Sequence, residues 1–476
     1  MKMRYLFIAL SLLTLQATAQ NKTDSLQRLF DTLVARNNFN GCVLVAEEDK
    51  PIYKKAFGYA DQEKGIPLNT ASLFELASVS KQFTAMAIMQ LQEKGKLSYE
   101  DSLQKYFPAL PYRGVTIRNL LTHTSGITEF LGWNQQQLDT SRFYFNEDIV
   151  KLLPTVADSA AFRPGSKFSY SNTNYLLLAQ IVAIVSGESF ADYMQQHVFI
   201  PAGMKNTHVY SRLTAKNKLP NYALSYSWSA VANDFIPVNQ QIEMGYRKYL
   251  DPIAGPYGIS SNVEDLLKWD QALNTEKLVS RKTQEEAYAP FPLENGFAGF
   301  TSDSKYGFGW IFSKSPLKGN MYWHTGGLPG YTSVIARYPD THKTIIVLCN
   351  YWNMASVVEI MSAIDHILWG EPYKMPTAII YKRSISITNA QALNLEGKYT
   401  WDSQPGVEMY ITSKGNHVYA RLTNQAAYEI YPDSVNSFFY TVVAAKIKFD
   451  IADDGKPVRL TLFQNGLELK MTRQQE

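Results

Sequence analysis

A serine and a lysine three residues apart, Ser78 and Lys81, are the first side chains whose types and spacing could do chemistry. They open a predicted helix over residues 78–94, in which side chains three positions apart lie on nearly the same face. A lysine with a lowered pKa could accept the serine proton, and free N–H groups at the helix N-terminus could stabilise an oxyanion. S-x-x-K also occurs at residues 102–105, 302–305 and 315–318, so the spacing alone does not establish a nucleophile.

Two further groups of residues could complete such a site. Tyr170 and Asn172 precede an apolar helical run, and a phenol can serve as proton partner of a Ser–Lys pair while an amide orients the lysine and a substrate carbonyl. The Y-x-N spacing recurs at Tyr144 and Asn146 and is weak by itself. The third group stands just before a predicted strand, where small residues let a substrate backbone approach. It consists of His324, Thr325, Gly326 and Gly327.

The elements that must position these residues run strand, helices, strands and helix along the chain. This order favours an α+β fold whose sheet is completed by both ends of the domain. Neither a G-x-S-x-G elbow nor an H-E-x-x-H motif occurs, which argues against an α/β-hydrolase and a zinc protease. The predicted elements are helices at 25–36 and 355–369, two strands around a turn at 48–50, and strands at 306–312, 331–338 and 343–350.

Taken in order, the three motifs resemble the serine β-lactamase and penicillin-binding-protein superfamily, specifically its class C-like branch with D-aminopeptidase, DD-carboxypeptidase and esterase relatives. Supporting segments spread over most of residues 25–370: NLLTHTSGI, PGSKFSYSNTNYLLLAQIV, FIPAGMKNT and YGISSNVEDLLKW. The resemblance implies a β-lactamase-like antiparallel sheet with helices packed on it and a helical subdomain. His123 lies in one of these segments, and its expected role is structural.

The resemblance also implies roles for the motif residues. Ser78 would be the acylated nucleophile, with Lys81 and Tyr170 as the proton-transfer pair. The backbone N–H groups of Ser78 and Gly327 would form the oxyanion hole. Hydrolysis would pass through an acyl-enzyme without a metal or organic cofactor. The implied substrate and oxyanion residues are Asn172, His324, Thr325, Gly326 and Gly327.

His324 is a departure from the family pattern, because β-lactamases and many carboxypeptidases carry lysine there. Lysine holds a fixed positive charge for a substrate carboxylate, whereas histidine is largely neutral near pH 7. We therefore expect a serine hydrolase acting on a small peptide, D-amino-acid or cell-wall related, ahead of an ester. The alternatives are a class C-like β-lactamase and a non-catalytic ligand-binding relative.

The C-terminal part has a different character from the rest. Residues 391–476 show short alternating runs separated by turn residues, which are typical of a small antiparallel barrel or sandwich. They resemble the small lipocalin-like barrel appended to some family peptidases, and we expect a packed core rather than a ligand cavity. The predicted domains are a signal peptide at 1–19, a catalytic domain at 20–370, a linker at 371–390 and the barrel at 391–476.

The first nineteen residues have a positive start, an apolar stretch and the small-x-small ending Ala17-Thr18-Ala19, which predicts cleavage after Ala19 and a periplasmic or secreted protein. No later segment reaches the length of an apolar transmembrane helix. A net charge of +3 over 476 residues, with no run of five or more like charges, gives no sign of nucleic-acid binding. Cys42 and Cys349 stand in two apolar runs on strands expected to be neighbours, so a disulfide is possible.

Overall fold

A computed structural model of the chain describes residues 21–476, except for 134–136, 241–247, 316–317, 353, 380, 405, 424, 426, 442, 444, 465–466 and 475–476. The predicted signal peptide therefore lies outside the described residues. The chain divides into two compact units. The first contains the described parts of Met1–Leu224, Arg247–Asn350 and Met354–Ala378, and the second those of Ser225–Tyr246, Tyr351–Asn353 and Ile379–Glu476.

The helices belong to the first unit except for the last one. They are α1 (residues 21–35), α2 (Lys81–Glu93), α3 (Ile117–Leu121), α4 (Asn146–Val156), α5 (Asn172–Ser186), α6 (Phe190–Tyr193), α7 (Ile200–Ala202), α8 (Val263–Leu273), α9 (Arg281–Tyr288), α10 (Val357–Leu368) and α11 (Asn389–Asn394).

The strands up to Cys349 are mostly short, apart from those of one large sheet. They are β1 (Gly41–Glu47), β2 (Lys50–Phe57), β3 (Tyr59–Asp61), β4 (Ile66–Pro67), β5 (Phe74–Glu75), β6 (His208–Val209), β7 (Tyr226–Ser229), β8 (Asp234–Pro237), β9 (Ile259–Ser261), β10 (Pro292–Leu293), β11 (Gly296–Phe297), β12 (Gly299–Thr301), β13 (Ser304–Tyr306), β14 (Ile311–Ser315), β15 (Gly319–Leu328), β16 (Tyr331–Tyr338) and β17 (Lys343–Cys349).

The large sheet is antiparallel, with the strand order β12-β13-β14-β15-β16-β17-β1-β2. Because β1 pairs with β17, the two ends of the domain complete one sheet, and the α+β fold predicted from the sequence is confirmed. Side chains of β1 alternate between two cores. Leu44 packs in the core that contains α2, α5 and α8, while Val43 and Val45 pack in the core that contains α1 and α10.

The two cysteines show the consequence of this alternation. Cys42 pairs with Leu348 and Gly41 with Cys349, so the cysteines lie on neighbouring strands but one residue out of register. Cys42 is buried in the core of α2 and Cys349 in the core of α10. Both thiols are free, since a one-residue offset sends the two side chains to opposite faces of the sheet.

One predicted strand is wrong in its extent. The sequence favours a single strand over residues 306–312, whereas the structure ends β13 at Tyr306 and begins β14 at Ile311. Gly309 adopts a φ of +79° in the turn between the two strands, a conformation that glycine reaches without strain. The turn brings Tyr306 into the candidate site, as described below.

The second unit contains a closed eight-stranded barrel, as the sequence predicts. Buried apolar side chains, among them Tyr399, Ile447 and Phe449, form its core. The barrel strands are β18 (Gly397–Trp401), β19 (Glu408–Lys414), β20 (His417–Leu422), β21 (Tyr428–Ser434), β22 (Ser437–Phe439), β23 (Ala445–Ile451), β24 (Pro457–Gln464) and β25 (Leu467–Arg473).

The hairpin of β7 and β8 also belongs to the second unit, although it precedes the barrel by about 160 residues of chain. Ala230 packs against Tyr431 and Phe439, and its carbonyl oxygen accepts a hydrogen bond from the Ser384 N–H at 2.9 Å. The predicted catalytic domain, residues 20–370, includes this segment, whereas in the structure it packs on the barrel.

Among the described residues, no single helix has the length and apolar composition needed to cross a membrane. One bent pair, Asn172–Ser186 with Phe190–Ala202, passes on length and composition alone, and its two helices meet at 82°.

Candidate active site

Ser78 lies in a tight turn between strand β5 and helix α2. The predicted helix start at Ser78 proves to be a 3₁₀ turn, Ala77–Ser80, followed by α2 from Lys81. Ala77, immediately before the serine, has a φ of +50°, which is uncommon and unfavourable for a residue with a Cβ. Such strain concentrates at functional sites. The turn leaves the Ser78 side chain partly exposed while the residues around it are buried.

Lys81 is fully buried beside the serine hydroxyl. Its Nζ lies 3.0 Å from Ser78 Oγ, 2.8 Å from Asn172 Oδ1 and 3.0 Å from the Pro256 carbonyl oxygen. Burial lowers the pKa of the Lys81 amine to about 7, and the negative charge of Glu129 opposes part of that shift. Near pH 7 the amine is therefore present in its neutral form to a substantial degree and can accept a proton.

Tyr170 is the second side chain in contact with the serine hydroxyl. Its hydroxyl shares a hydrogen bond with the Ser78 side chain, and Lys81 Nζ lies 4.8 Å from the centre of its ring. Burial raises the pKa of the Tyr170 phenol well above its usual range, against the lowering effect of the Ser78 hydrogen bond. Tyr170 thus stays protonated at neutral pH, and it can pass a proton on without serving as the resting base.

Asn172 begins helix α5, and its side chain is held by Glu129, a residue that is not in any of the predicted motifs. The Asn172 N–H and Nδ2 both donate to Glu129 Oε2, the latter at 3.3 Å, while Glu129 Oε1 accepts from the Leu131 N–H at 2.9 Å. Burial raises the pKa of Glu129, and these hydrogen bonds and the Lys81 charge counteract the shift. Glu129 and Asn172 are 43 residues apart, so no local spacing pattern could have paired them.

His324 faces the same cluster from strand β15. Its Nδ1 lies 2.6 Å from the Thr325 carbonyl oxygen, which can only accept, so Nδ1 carries the proton. Its Nε2 then accepts from the Tyr306 hydroxyl at 3.0 Å. Burial lowers the pKa of His324 to about 3, and the neighbouring Lys81 charge adds to the effect. The ring is therefore neutral at physiological pH, in agreement with the charge expected from the sequence.

The three residues after His324 occupy different positions. Gly326 packs directly on the serine turn: a Cβ there would lie 2.1 Å from the Leu76 carbonyl oxygen. Gly327 is exposed near the end of β15, where its backbone borders solvent. Thr325 pairs with Val334, a residue of the α10 core, so strand alternation points its side chain away from the face of His324.

His123 packs within the aromatic side chains of the site. Its ring centre lies 4.2 Å from that of Tyr170 and 4.9 Å from that of Tyr306. Nδ1 accepts from the Ser171 N–H at 3.1 Å, and burial lowers the pKa of the ring well below its usual range. The residue supports the segment that carries Tyr170, as a structural role requires.

The other copies of the S-x-x-K and Y-x-N motifs make different contacts. Lys105 Nζ pairs with Asp101 Oδ2 at 2.7 Å, while the Ser102 hydroxyl bonds to the Gln104 side chain. Asn146 bonds to the backbone of Ala254 at 2.8 Å. The structure thus distinguishes Ser78 and Lys81, which share a hydrogen bond at 3.0 Å, from two other described S-x-x-K pairs. Lys105 pairs with Asp101, and Lys305 Nζ lies over the ring of Phe297 at 4.4 Å.

The chain is similar to known proteins of the β-lactamase and penicillin-binding-protein type. The family model described as Beta-lactamase matches residues 26–364. The chain is 37% identical to "Penicillin-binding protein 4*" of Bacillus subtilis (strain 168) over 455 residues, covering 95% of this chain and 99% of that protein. It is 23% identical to the D-aminopeptidase of Gluconobacter oxydans (strain 621H), covering 71% and 62% respectively. The octameric penicillin-binding protein homologue from Pyrococcus abyssi superposes with a TM-score of 0.62 at 23% identity, covering 94% and 99%.

Proposed function

Because the chain belongs to the beta-lactamase family, we propose that it is a serine hydrolase that cleaves a peptide or ester bond through an acyl-enzyme on Ser78. The observation that carries this proposal is the 3.0 Å contact between the Ser78 hydroxyl and the buried Lys81 amine. A surface lysine would be charged and could not act as a base near pH 7. Burial supplies the neutral amine that the reaction requires.

The proposed reaction proceeds in two steps. Ser78 Oγ attacks the substrate carbonyl carbon while its proton passes to Lys81 Nζ, and the N–H groups of Ser78 and Gly327 stabilise the oxyanion. The bond to the leaving group breaks, and the leaving atom takes a proton from the Tyr170 hydroxyl, which Lys81 restores. Water then attacks the ester on Ser78 by the reverse proton route and releases the acid. Asn172 and Glu129 hold the lysine in position throughout.

The proposed substrates are small peptides of D-amino-acid or cell-wall type. A D-aminopeptidase relative supports the peptide class. The neutral His324 speaks against efficient β-lactam hydrolysis, since the site then lacks the fixed charge that lysine would provide for the β-lactam carboxylate. Cleavage of the N-terminal 19 residues and export of the protein belong to the same proposal, because cell-wall peptides lie outside the cytoplasm.

A substrate panel tests the proposal. Purified wild type and Ser78→Ala are incubated with a D-alanyl-D-alanine peptide, its L,L counterpart, penicillin and a simple ester, and products are followed by chromatography. We expect Ser78-dependent turnover, with the D-peptide cleaved faster than its L counterpart and penicillin hydrolysed slowest. Fast penicillin hydrolysis would favour the β-lactamase alternative, and no Ser78-dependent product from any compound would favour a ligand-binding protein.

A further inference from the structure

Four aromatic rings form a continuous surface on one side of Ser78. We call it the aromatic wall and define it as Phe168, Tyr170, Phe300 and Tyr306. The Phe168 and Phe300 ring centres are 5.2 Å apart, those of Tyr170 and Phe300 5.6 Å, and those of Phe168 and Tyr306 5.8 Å. These separations are those of mutually packed aromatic pairs.

The wall is buried at one end and open at the other. Tyr306 is fully buried, Phe168 and Tyr170 are partly exposed, and Phe300 is 51% exposed on the edge strand β12. Tyr170 itself bonds to the Ser78 side chain. Phe300 packs against Tyr170 with the two rings tilted by 38°, so its exposed part lies beside the reactive centre, where a bound group can cover it.

The charged residues next to the wall are directed elsewhere. Lys167 precedes Phe168, but its Nζ lies over the ring of Phe162 at 6.0 Å. Lys305 precedes Tyr306, and its Nζ lies over the ring of Phe297 at 4.4 Å. His324 bonds to Tyr306 of the wall, but its ring is neutral. None of these three groups offers the wall a cation that would bind a carboxylate.

We propose that the aromatic wall is the leaving-group subsite and that it accepts an uncharged aromatic or apolar group. This inference rests on the proposed function, in which the leaving atom takes its proton from the Tyr170 hydroxyl as the bond to the acyl carbon breaks. The leaving group must then lie beside Tyr170, and the ring that adjoins Tyr170 on its open side is Phe300. A leaving group that ends in a carboxylate would be desolvated against apolar rings without a partner.

Three amides of D-alanine test the subsite, because they share the acyl group and the N–CH₂ or N–CH₃ linkage: the benzylamide, the methylamide and D-alanylglycine. We expect wild-type kcat/KM to fall in that order. Phe300→Ala should lower the benzylamide-to-methylamide ratio about tenfold, as removal of one aromatic partner predicts. Phe300→Leu keeps an apolar side chain, so it should fold and should lower the ratio less than Phe300→Ala does. Phe297→Ala is the matched control: Phe297 is 49% exposed on β11, in a separate two-stranded sheet, and its removal should leave the ratio unchanged.

Failure of the subsite and failure of the proposed function give different results in this experiment. If Ser78-dependent turnover occurs but the methylamide or D-alanylglycine matches the benzylamide, the proposed function stands and the subsite is wrong. An unchanged ratio in a folded Phe300→Ala variant also overturns the subsite. If none of the amides is cleaved but the substrate panel gives a Ser78-dependent product, the proposed function stands and the subsite is wrong. If neither the amides nor the panel give a Ser78-dependent product, the proposed function fails, and the assignment of the wall fails with it.

Discussion

The charge on Lys81 is set by two opposing influences, burial and the carboxylate of Glu129. Burial favours the neutral amine, and the carboxylate favours the ammonium form. Motif residues such as Ser78 and Asn172 can be recognised from the sequence because each stands in a short pattern. Glu129 cannot, because Asn172, the site residue that it holds, is 43 residues away and the sequence around Glu129 contains no signal. Tyr306 cannot be recognised from the sequence either, because its contact with His324 depends on the turn after β13.

Removing the charge of Glu129 should move the pH profile of the reaction. In wild type, kcat/KM should rise as pH increases through about 7, because Lys81 must lose its proton to act as base. In Glu129→Gln the acidic limb should move to lower pH, since a missing negative charge makes the ammonium form less favourable. The measurement is kcat/KM from pH 5 to 9, with the exposed Glu285→Gln as control. A limb that stays in place or moves upward would refute the electrostatic role.

Strand β15 and the serine turn must approach closely for the site to exist. Strands β16 and β17 and helix α5 fall where the sequence places them, because each is a long apolar run with clear ends. The split of β13 and β14 was missed, since the apolar run over 306–312 conceals two glycines at the turn. Gly326 was recognised as a small residue at a strand, but its contact is with the turn of Ser78 itself.

Gly326→Ala tests this close approach. The added Cβ would lie 2.1 Å from the Leu76 carbonyl oxygen, so β15 and the serine turn must separate. We expect the rate of Ser78 acylation to fall at least tenfold and the free energy of unfolding to drop by about 1–3 kcal/mol, the usual cost of overpacking. The control is Gly132→Ala, whose Cβ would meet no atom within 4 Å. Equal acylation rates in the two variants would contradict the packing argument.

The two units, an α+β domain and a closed barrel, are both predicted from the sequence, but the residues that make up each unit are not. The closed barrel follows from regular alternation, which is a local property. The hairpin of β7 and β8 could not be assigned to it, because nothing in the sequence shows that Ala230 packs against Tyr431 and Phe439, about 200 residues later.

In the first unit, the buried Arg337 joins elements that are distant in the sequence. It donates to Asp270 Oδ1 at 2.5 Å and to the Tyr288 hydroxyl at 2.7 Å.

Arg337→Met should destabilise the first unit strongly. The substitution leaves Asp270 buried without its cation, which typically costs about 3–5 kcal/mol in the free energy of unfolding. Lys54→Met removes a pair with Glu264 whose side chains are well exposed, and it should cost at most about 1 kcal/mol. Urea denaturation of both variants gives the comparison, and a similar small loss in each would show that the buried pair is not needed.

Covalent labelling of Ser78 tests the central claim most directly. Wild type, Ser78→Ala and Ser102→Ala are treated with a fluorophosphonate, and adducts are measured by intact mass and located by peptide mapping. Ser102 belongs to an S-x-x-K pair whose lysine bonds to Asp101 instead, so its variant serves as the matched control. We predict one adduct per chain on Ser78 in wild type and in Ser102→Ala, and none in Ser78→Ala. An adduct that persists in Ser78→Ala, or a wild type that stays unlabelled, would contradict the assignment of Ser78 as the nucleophile.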